Sequence, residues 1–393
     1  MKYDRAFFDA PVPRRGTRCE KWDDPKQCGP EDLPLWVADW DFRCAEPIRE
    51  ALRRRAEMAC YGYACADPAD NQAFCDYWQR RHGVSIAPDQ VLMLPSVVTG
   101  LRQAVLTFSR PNEGVVIFTP VYGPFHDAVT RGGRRIYAAP LTRDENARYH
   151  MDLERVEQRL KEGARLILLC NPHNPVSRTW HMEELAALAS LARRYNALLV
   201  SDEIHADFVY TPNRHHSILT VPGADACAVM LASASKTFNV PGLQQSMAVS
   251  HNQELLDKLK ENVERQGVMC GNVFALDATQ AAYTQCDDWL DGLKAYLEEG
   301  REIVRQEVAV RLPRAVLTPI EATALCWLDL RAYASTCKEL AERLRAHHVV
   351  LTGGTFFDKQ LGEGFMRLNF ACPHSSLREG VRRMAEALEK NDR

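Results

Sequence analysis

No stretch of this sequence approaches the roughly 18 uninterrupted apolar residues of a bilayer-crossing helix, and the N-terminal MKYDRAFFDAPVPRRGTRCEKWDD holds no apolar core of signal-peptide length. The expectation is a cytoplasmic protein without membrane contact. No basic run is dense enough to track a phosphate backbone, and the formal net charge is only −3, so nucleic acid is not an expected partner. The 13 cysteines include no CxxC pair and no Cys/His cluster at zinc-like spacing, and their number is odd, which argues against a disulfide framework or a metal site. Several sit in apolar surroundings, Cys170 in LILLC and Cys326 in ALCWLDL, where a reduced thiol acts as a small buried hydrophobe. Internal repeats and low-complexity segments are also lacking.

What is there is a chain of 393 residues, 46% hydrophobic and 26% charged, a soluble globular composition on a length that predicts a large domain with a smaller one. RLILLC (165–170), ALLVSDEI (197–204) and CAVMLAS (227–233) are short continuous apolar runs. Between the first two, MEELAALASLARRYN carries Leu185, Leu188 and Leu191 at helical spacing. Such alternation predicts an α/β domain with a mostly parallel sheet covered on both faces. Upstream, QVLMLPSVVTGLRQAVLTF reads as strand, tight turn and helix, and GVVIFTPVYGPF as a strand ending in a loop punctuated by proline. Downstream, NQELLDKLKENVERQG and WLDGLKAYLEEGREIVRQEVAVRL read as long amphipathic helices. ALCWLDL and GFMRLNFA then mix with helices in an expected α+β part. The expected division is an N-terminal segment 1–45 joining a small C-terminal domain 289–393, with the large domain at 46–288.

In open parallel sheets ligands collect beyond the carboxyl ends of the strands, so the residues that follow each apolar run are the candidates. Asn171 and Asn174 follow LILLC; Asp202 and His205 follow ALLVS; Ser233, Ser235 and Lys236 follow CAVMLA; Ser96 and a helix start follow VLML; Tyr122 follows GVVIF. Each has an ordinary reading alone: a lysine at a strand end snorkels to water, an asparagine between prolines makes a turn, an aspartate caps a helix. Together, a lysine, an acid, an amide and a phenol beside a helix N-terminus suit an aromatic aldehyde cofactor carrying a phosphate. The amine forms a Schiff base, the acid keeps a pyridine nitrogen protonated, and the helix start and serines bind phosphate. Pyridoxal 5'-phosphate fits the set.

The motifs RRGTRCEKWD, LPLWVADWDF, YGY, RRHG, PVYGPF, NPHNPVSRTW, SDEIHADFVY, SASKTFNVPGLQ and GEGFMRLNFACP occur in the order of a known group. Through them the chain resembles fold-type I, class I/II aminotransferase-like enzymes, specifically the MalY/PatB group of cystathionine and cysteine-S-conjugate β-lyases. The resemblance implies an aspartate aminotransferase-like fold and a homodimer with shared active sites. It implies that Lys236 forms the Schiff base with the cofactor, Asp202 pairs with the pyridinium nitrogen, Asn174 bonds the phenolic oxygen and Tyr122 stacks on the ring. The phosphate takes the amides of Val97 and Val98 and the hydroxyls of Ser233 and Ser235, and Tyr63 reaches the partner subunit's phosphate. Arg367 clamps the substrate carboxylate, main-chain groups near Val37 and Ala38 line the pocket, and His205 supports the ring without acting as an acid or base.

Departures accompany the match. PSVVTGL stands where the group shows PGVVPAL, NPVSR where NPVGR is familiar, and the loop GGTFFDKQLGEGF lacks a glycine that often follows phenylalanine. Ser96, Thr99 and Ser177 are therefore expected to mark a divergent pocket, with substrate scope as the open matter. The expected reaction is β-elimination from cystathionine, cysteine or a cysteine S-conjugate to a thiol, pyruvate and ammonia, with Lys236 as the base and Tyr122 assisting proton transfer. Transamination of an L-amino acid on the same cofactor is the first alternative. Against it stand His205 and Gln244, where many class I transaminases carry tyrosine and arginine. A regulatory binding protein with a secondary cofactor site is the second alternative.

Overall fold

In the computed structural model, which describes residues 2–268 and 271–389, the continuous apolar runs become the buried strands of one large sheet. In chain order the strands used below are β1 (Leu33–Pro34), β2 (Val91–Leu94), β3 (Gly114–Ile117), β4 (Arg135–Ala138), β5 (Leu166–Cys170), β6 (Leu198–Asp202) and β7 (Ala228–Ala232). They continue with β8 (Ser246–Val249), β9 (Val316–Leu317), β10 (Leu325–Asp329), β11 (Val349–Val350), β12 (Thr352–Gly353) and β13 (Phe365–Asn369).

The large sheet has seven strands in the order β2-β8-β7-β6-β5-β3-β4. Neighbours from β7 through β4 pair in parallel, and β8 alone runs antiparallel to both its neighbours. Alternation explains why the strands read as unbroken apolar runs: successive side chains point to opposite faces, and both faces are covered. Leu166, Leu168, Val200, Val229 and Leu231 pack with Leu101, Val105 and Phe125 on one side. Ile167, Leu169, Leu199 and Met230 pack with Leu185, Leu188 and Phe208 on the other.

A second sheet, β9-β10-β13-β12, is antiparallel throughout and places Trp327 and Thr352 on either side of Arg367. The helices Asp287–Arg311, Cys337–Ala346 and His374–Glu389 pack around this part of the chain. The N-terminal segment reaches it by a short parallel pairing of β1 with β11, Leu33 opposite Val349 and Pro34 opposite Val350. The described cysteines are free, with Cys170 and Cys326 fully buried. Among the described residues no helix is long and apolar enough to cross a membrane, and no cluster of three or more His, Cys, Asp or Glu is arranged to hold a metal ion.

Candidate active site

The carboxyl ends of β2, β5, β6 and β7 open into a cavity of about 570 Å³, closed on its far side by residues of the N-terminal segment and of the second sheet. Its walls bring together Lys236, Asp202, His205, Asn174, Tyr122, Val97, Val98, Ser233, Ser235, Ala38 and Arg367. Of the residues singled out from the sequence, Asn171, Thr99 and Ser177 do not line it, Asn171 donating instead to the His216 carbonyl at 2.8 Å, and Tyr63 stands apart: it is 99% exposed, on a surface loop near exposed Met58 and Tyr61.

Lys236 sits in a one-turn helix, Ala234–Thr237, that β7 delivers to the cavity. The turn is fixed from beneath, where Thr237 donates to the buried Asp207 at 2.6 Å, and from the N-terminal segment, where the Trp40 indole donates to the Lys236 carbonyl at 2.6 Å. Asn239 locks the same contact by accepting from the Trp40 amide and donating to the Trp40 and Phe42 carbonyls. The Lys236 ammonium donates to the Ala38 carbonyl. Withdrawal from water brings its pKa down to about 8, with Arg367 pushing the same way and Asp39 and Asp202 opposing, so an appreciable fraction is uncharged near neutrality.

Asp202 ends β6 with its carboxylate buried, accepting only the Ile204 amide at 3.1 Å. Burial, reinforced by neighbouring Glu203, pushes its pKa up to about 7. This is a buried carboxyl with no cation bonded to it among the described residues, and a protonated ring nitrogen would hold it in its charged form. His205, buried beside it, has no partner on Nδ1 and is pushed down to about 3, first by burial and then by Lys236 and Arg367; it is a neutral ring here. Asn174 takes the Arg367 guanidinium on its side-chain oxygen at 3.1 Å and leaves its amide nitrogen without a partner among the described residues. Its carbonyl accepts the Tyr122 amide at 3.2 Å, which sets the tyrosine at the start of the helix Gly123–Arg131. Burial raises the Tyr122 hydroxyl pKa, so it is a proton donor at neutral pH.

The helix Val97–Phe108 aims its first amides at the cavity wall. Ser96 caps it by accepting the Thr99 amide at 3.1 Å, while Val97 and Val98 lack carbonyls one turn back and stay available to an anion. The Ser96 and Thr99 hydroxyls meet at 3.0 Å, so both departures in the turn are spent on capping. Ser233 corrects the expectation that its hydroxyl is a free phosphate donor. It caps the Lys236 turn, accepting the Ser235 amide, and its own proton goes to the Gln245 carbonyl at 2.6 Å. Ser235 has no such commitment. Ser177 lies outside the cavity: fully buried with φ 55°, it occupies the left-handed region that favours glycine, and its hydroxyl reaches the Leu325 carbonyl. Its departure therefore concerns packing against β10 and not substrate scope.

Arg367, from β13, enters from the opposite wall. The residue is 3% exposed and its guanidinium donates to the Trp36 carbonyl at 2.6 Å, Thr352 Oγ1 at 3.3 Å and Asn174, with Nε unpartnered and no carboxylate bonded to it among the described residues. Burial lowers its pKa to about 10, still charged at neutrality.

The charges of RRGTRCEKWD and LPLWVADWDF, to which the sequence alone assigns no role, form the support of the far wall. Lys21, fully buried, bonds Asp41 at 2.7 Å and the Asp39 carbonyl at 3.2 Å; Arg14 bridges Asp39 and Asp41, each at 2.7 Å; and the Trp22 indole donates to Asp41. Asn369 of β13 holds the Val37 and Asp39 carbonyls, so the Ala38 carbonyl is presented to Lys236 from a strap anchored at both ends. Two further lining residues, Glu20 and Gln27, come from the same segment.

Residues 39–384 match the family described as aminotransferase class I and II. The chain belongs to that family. Its relatives in the aminotransferase class I and II family include the protein named cystathionine beta-lyase PatB of Bacillus subtilis, 38% identical over 386 residues, covering 97% of this chain and 99% of the other. Protein MalY of Escherichia coli is 31% identical over 97% of this chain and 98% of its own. The crystal structure of cystalysin from Treponema denticola, described as containing a pyridoxal 5'-phosphate cofactor, superposes over the full length of both chains with a TM-score of 0.93 at 28% identity. The class I and II aminotransferase architecture is therefore that of this chain: the mostly parallel sheet carries Lys236, Asp202 and Asn174, and the antiparallel sheet carries Arg367.

Proposed function

We propose that this chain is a pyridoxal-phosphate-dependent carbon–sulfur β-lyase that cleaves cystathionine, cysteine or a cysteine S-conjugate to a thiol, pyruvate and ammonia. The observation that carries it is a pair of buried, opposite charges without ionic partners, Asp202 on one wall and Arg367 on the other, with a lysine of lowered pKa in the same cavity. An anion in want of a ring cation and a fork in want of a carboxylate are what an α-amino acid on this cofactor supplies. Near full-length similarity to the proteins named cystathionine beta-lyase and cystalysin supports the elimination branch.

When bound, pyridoxal phosphate would supply an electron-poor ring able to delocalise negative charge developing at Cα, the chemistry that a Cβ–S elimination needs. Asp202 and Asn174 would hold its ring substituents, Tyr122 would cover its face, and the Val97 and Val98 amides with the Ser235 hydroxyl would hold its phosphate. Ser233 contributes by shaping the turn, and His205 by filling space as a neutral ring. Arg367 binds the substrate α-carboxylate through its fork. Lys236, uncharged in part and positioned at the Ala38 carbonyl, removes the Cα proton, and Tyr122 is the acid for the departing sulfur. Exposed Tyr63 is assigned to the partner subunit's phosphate in a homodimer, and the working compartment is the cytoplasm.

The test is to load the purified protein with pyridoxal phosphate and offer cystathionine, cysteine and S-propyl-L-cysteine, with and without an α-keto acid. Pyruvate release without a keto acid is the expected result; amino transfer faster than pyruvate release overturns it. In the same assay Arg367→Lys, which keeps the charge and loses the planar fork, is expected to lower kcat/KM about tenfold, mostly through KM. An unchanged KM removes Arg367 from carboxylate binding.

A further inference from the structure

The charged residues of the cavity wall divide unevenly. Lys236, Asp202 and Arg367 are all accounted for by the cofactor and the α-amino acid portion of a substrate, but Glu20 is not. It sits in the short helix Glu20–Asp23, exposed at the cavity edge, and its carboxylate makes no hydrogen bond or ion pair with any described residue. Of the cations of its own segment, Arg14 and Lys21 are turned to Asp39 and Asp41, and Arg15 to the Asp32 and Trp22 carbonyls, while Arg18 is exposed to solvent.

Trp36 links the short helix that carries Glu20 to the substrate clamp. The Trp36 carbonyl accepts Arg367 at 2.6 Å, while its indole donates to the Lys21 carbonyl at 3.1 Å, one residue from Glu20. A substrate held at Arg367 by its carboxylate thus has Trp36 as a wall, with Glu20 beyond it. The rest of this edge is neutral: Thr352, Thr355 and Gln27, the last with its side-chain oxygen held by Arg345 at 3.0 Å. Glu20 also lies close enough to favour the protonated forms of Lys236 and Tyr122, as an anion within the same cavity would.

We propose that Glu20 is a specificity-determining residue whose carboxylate binds a cationic group, an ammonium above all, on the sulfur substituent of the substrate. The substrate class is then cysteine S-conjugates with a distal amino group, cystathionine-like thioethers included, over conjugates that are neutral or only anionic at that end. The inference rests on the β-lyase reading for the word conjugate. Its core, a preference for a distal cation on a bound α-amino acid, does not.

The experiment uses the cofactor-loaded enzyme and two isosteric pairs. S-(2-aminoethyl)-L-cysteine and S-propyl-L-cysteine report kcat/KM for pyruvate release. L-lysine and L-2-aminoheptanoate, which have no sulfur to lose, report Kd from the change in cofactor absorbance. The wild type is expected to favour the cationic member of each pair about fivefold, the scale of one solvent-accessible ion pair, and Glu20→Gln to bring both ratios near unity. Glu20→Lys is expected to reverse them. A preference that survives Glu20→Gln in both pairs, or that is absent from the wild type, overturns the proposal. A misfolded or merely loosened variant lowers both members of a pair together and leaves the ratio in place, which also counts against it. Absence of pyruvate from every conjugate overturns the β-lyase reading instead, and the Kd pair still decides the role of Glu20.

Discussion

Replacing Lys236 with alanine is expected to lower pyruvate release by about a thousandfold or more, the scale set by loss of a positioned general base. Three features make this residue hard to replace. Its amine is held at the Ala38 carbonyl, its backbone is fixed by Trp40 above and by Asp207 through Thr237 below, and its pKa of about 8 keeps a usable uncharged fraction. Water entering the vacated space carries no comparable base. Asp202, Asn174, Ser235 and the Val97 and Val98 amides remain, so the variant is expected to take up cofactor without fixing it covalently. Borohydride treatment followed by denaturation should leave cofactor on the wild type and none on Lys236→Ala. Retention of turnover, or of the covalent link, would sink the assignment. Partial rescue by a small added amine would confirm that the missing element is the base and not the fold.

The elements that carry this chemistry were legible because both faces of the large sheet are buried. A strand covered on both sides is apolar over most of its length, so β3, β5, β6 and β7 stand out from their surroundings, and the polar residues at or directly after their carboxyl ends are conspicuous. Where burial takes another form the signal fades. The helix Val273–Gln285 buries Ala275, Leu276, Ala278, Thr279, Ala281, Ala282 and Tyr283 around most of its circumference, so it shows no single apolar stripe to read. The strand β8, SMAV, is too short an apolar run to stand out in the sequence, although it supplies the antiparallel link between β2 and β7. In the site, the roles that depend on backbone geometry were the obscure ones. Nothing in SASK tells that Ser233 spends its hydroxyl on the Gln245 carbonyl while Ser235 keeps its own free. Nor does linear spacing show that Arg14, Lys21, Asp39 and Asp41 meet in one buried cluster, because the contacts join segments that only the tertiary fold brings together.

Asp202→Asn is expected to move activity and stability in opposite directions. The substitution keeps the shape of the side chain and an oxygen for the Ile204 amide but removes the buried negative charge. Without that charge the cofactor ring loses the group that keeps its nitrogen protonated, and turnover is expected to fall about a hundredfold or more, with KM little altered because Arg367 is untouched. The unloaded protein should gain. Burial raises the Asp202 pKa from 3.8 to about 7, so between those values the folded state holds a proton that the unfolded chain has released. Stability therefore falls as pH rises through this window, and above it the buried charge costs the unloaded fold roughly 4 kcal/mol. The neutral amide removes that cost. Unloaded Asp202→Asn should melt at a higher temperature than unloaded wild type at pH 8 and at nearly the same temperature at pH 4. Cofactor should stabilise the wild type more than the variant, since a ring cation pairs only with the carboxylate. Equal melting at both pH values, or equal stabilisation by cofactor, would mean that the Asp202 charge is satisfied by something other than the ring, and the assignment of the cofactor's nitrogen to this residue would fall.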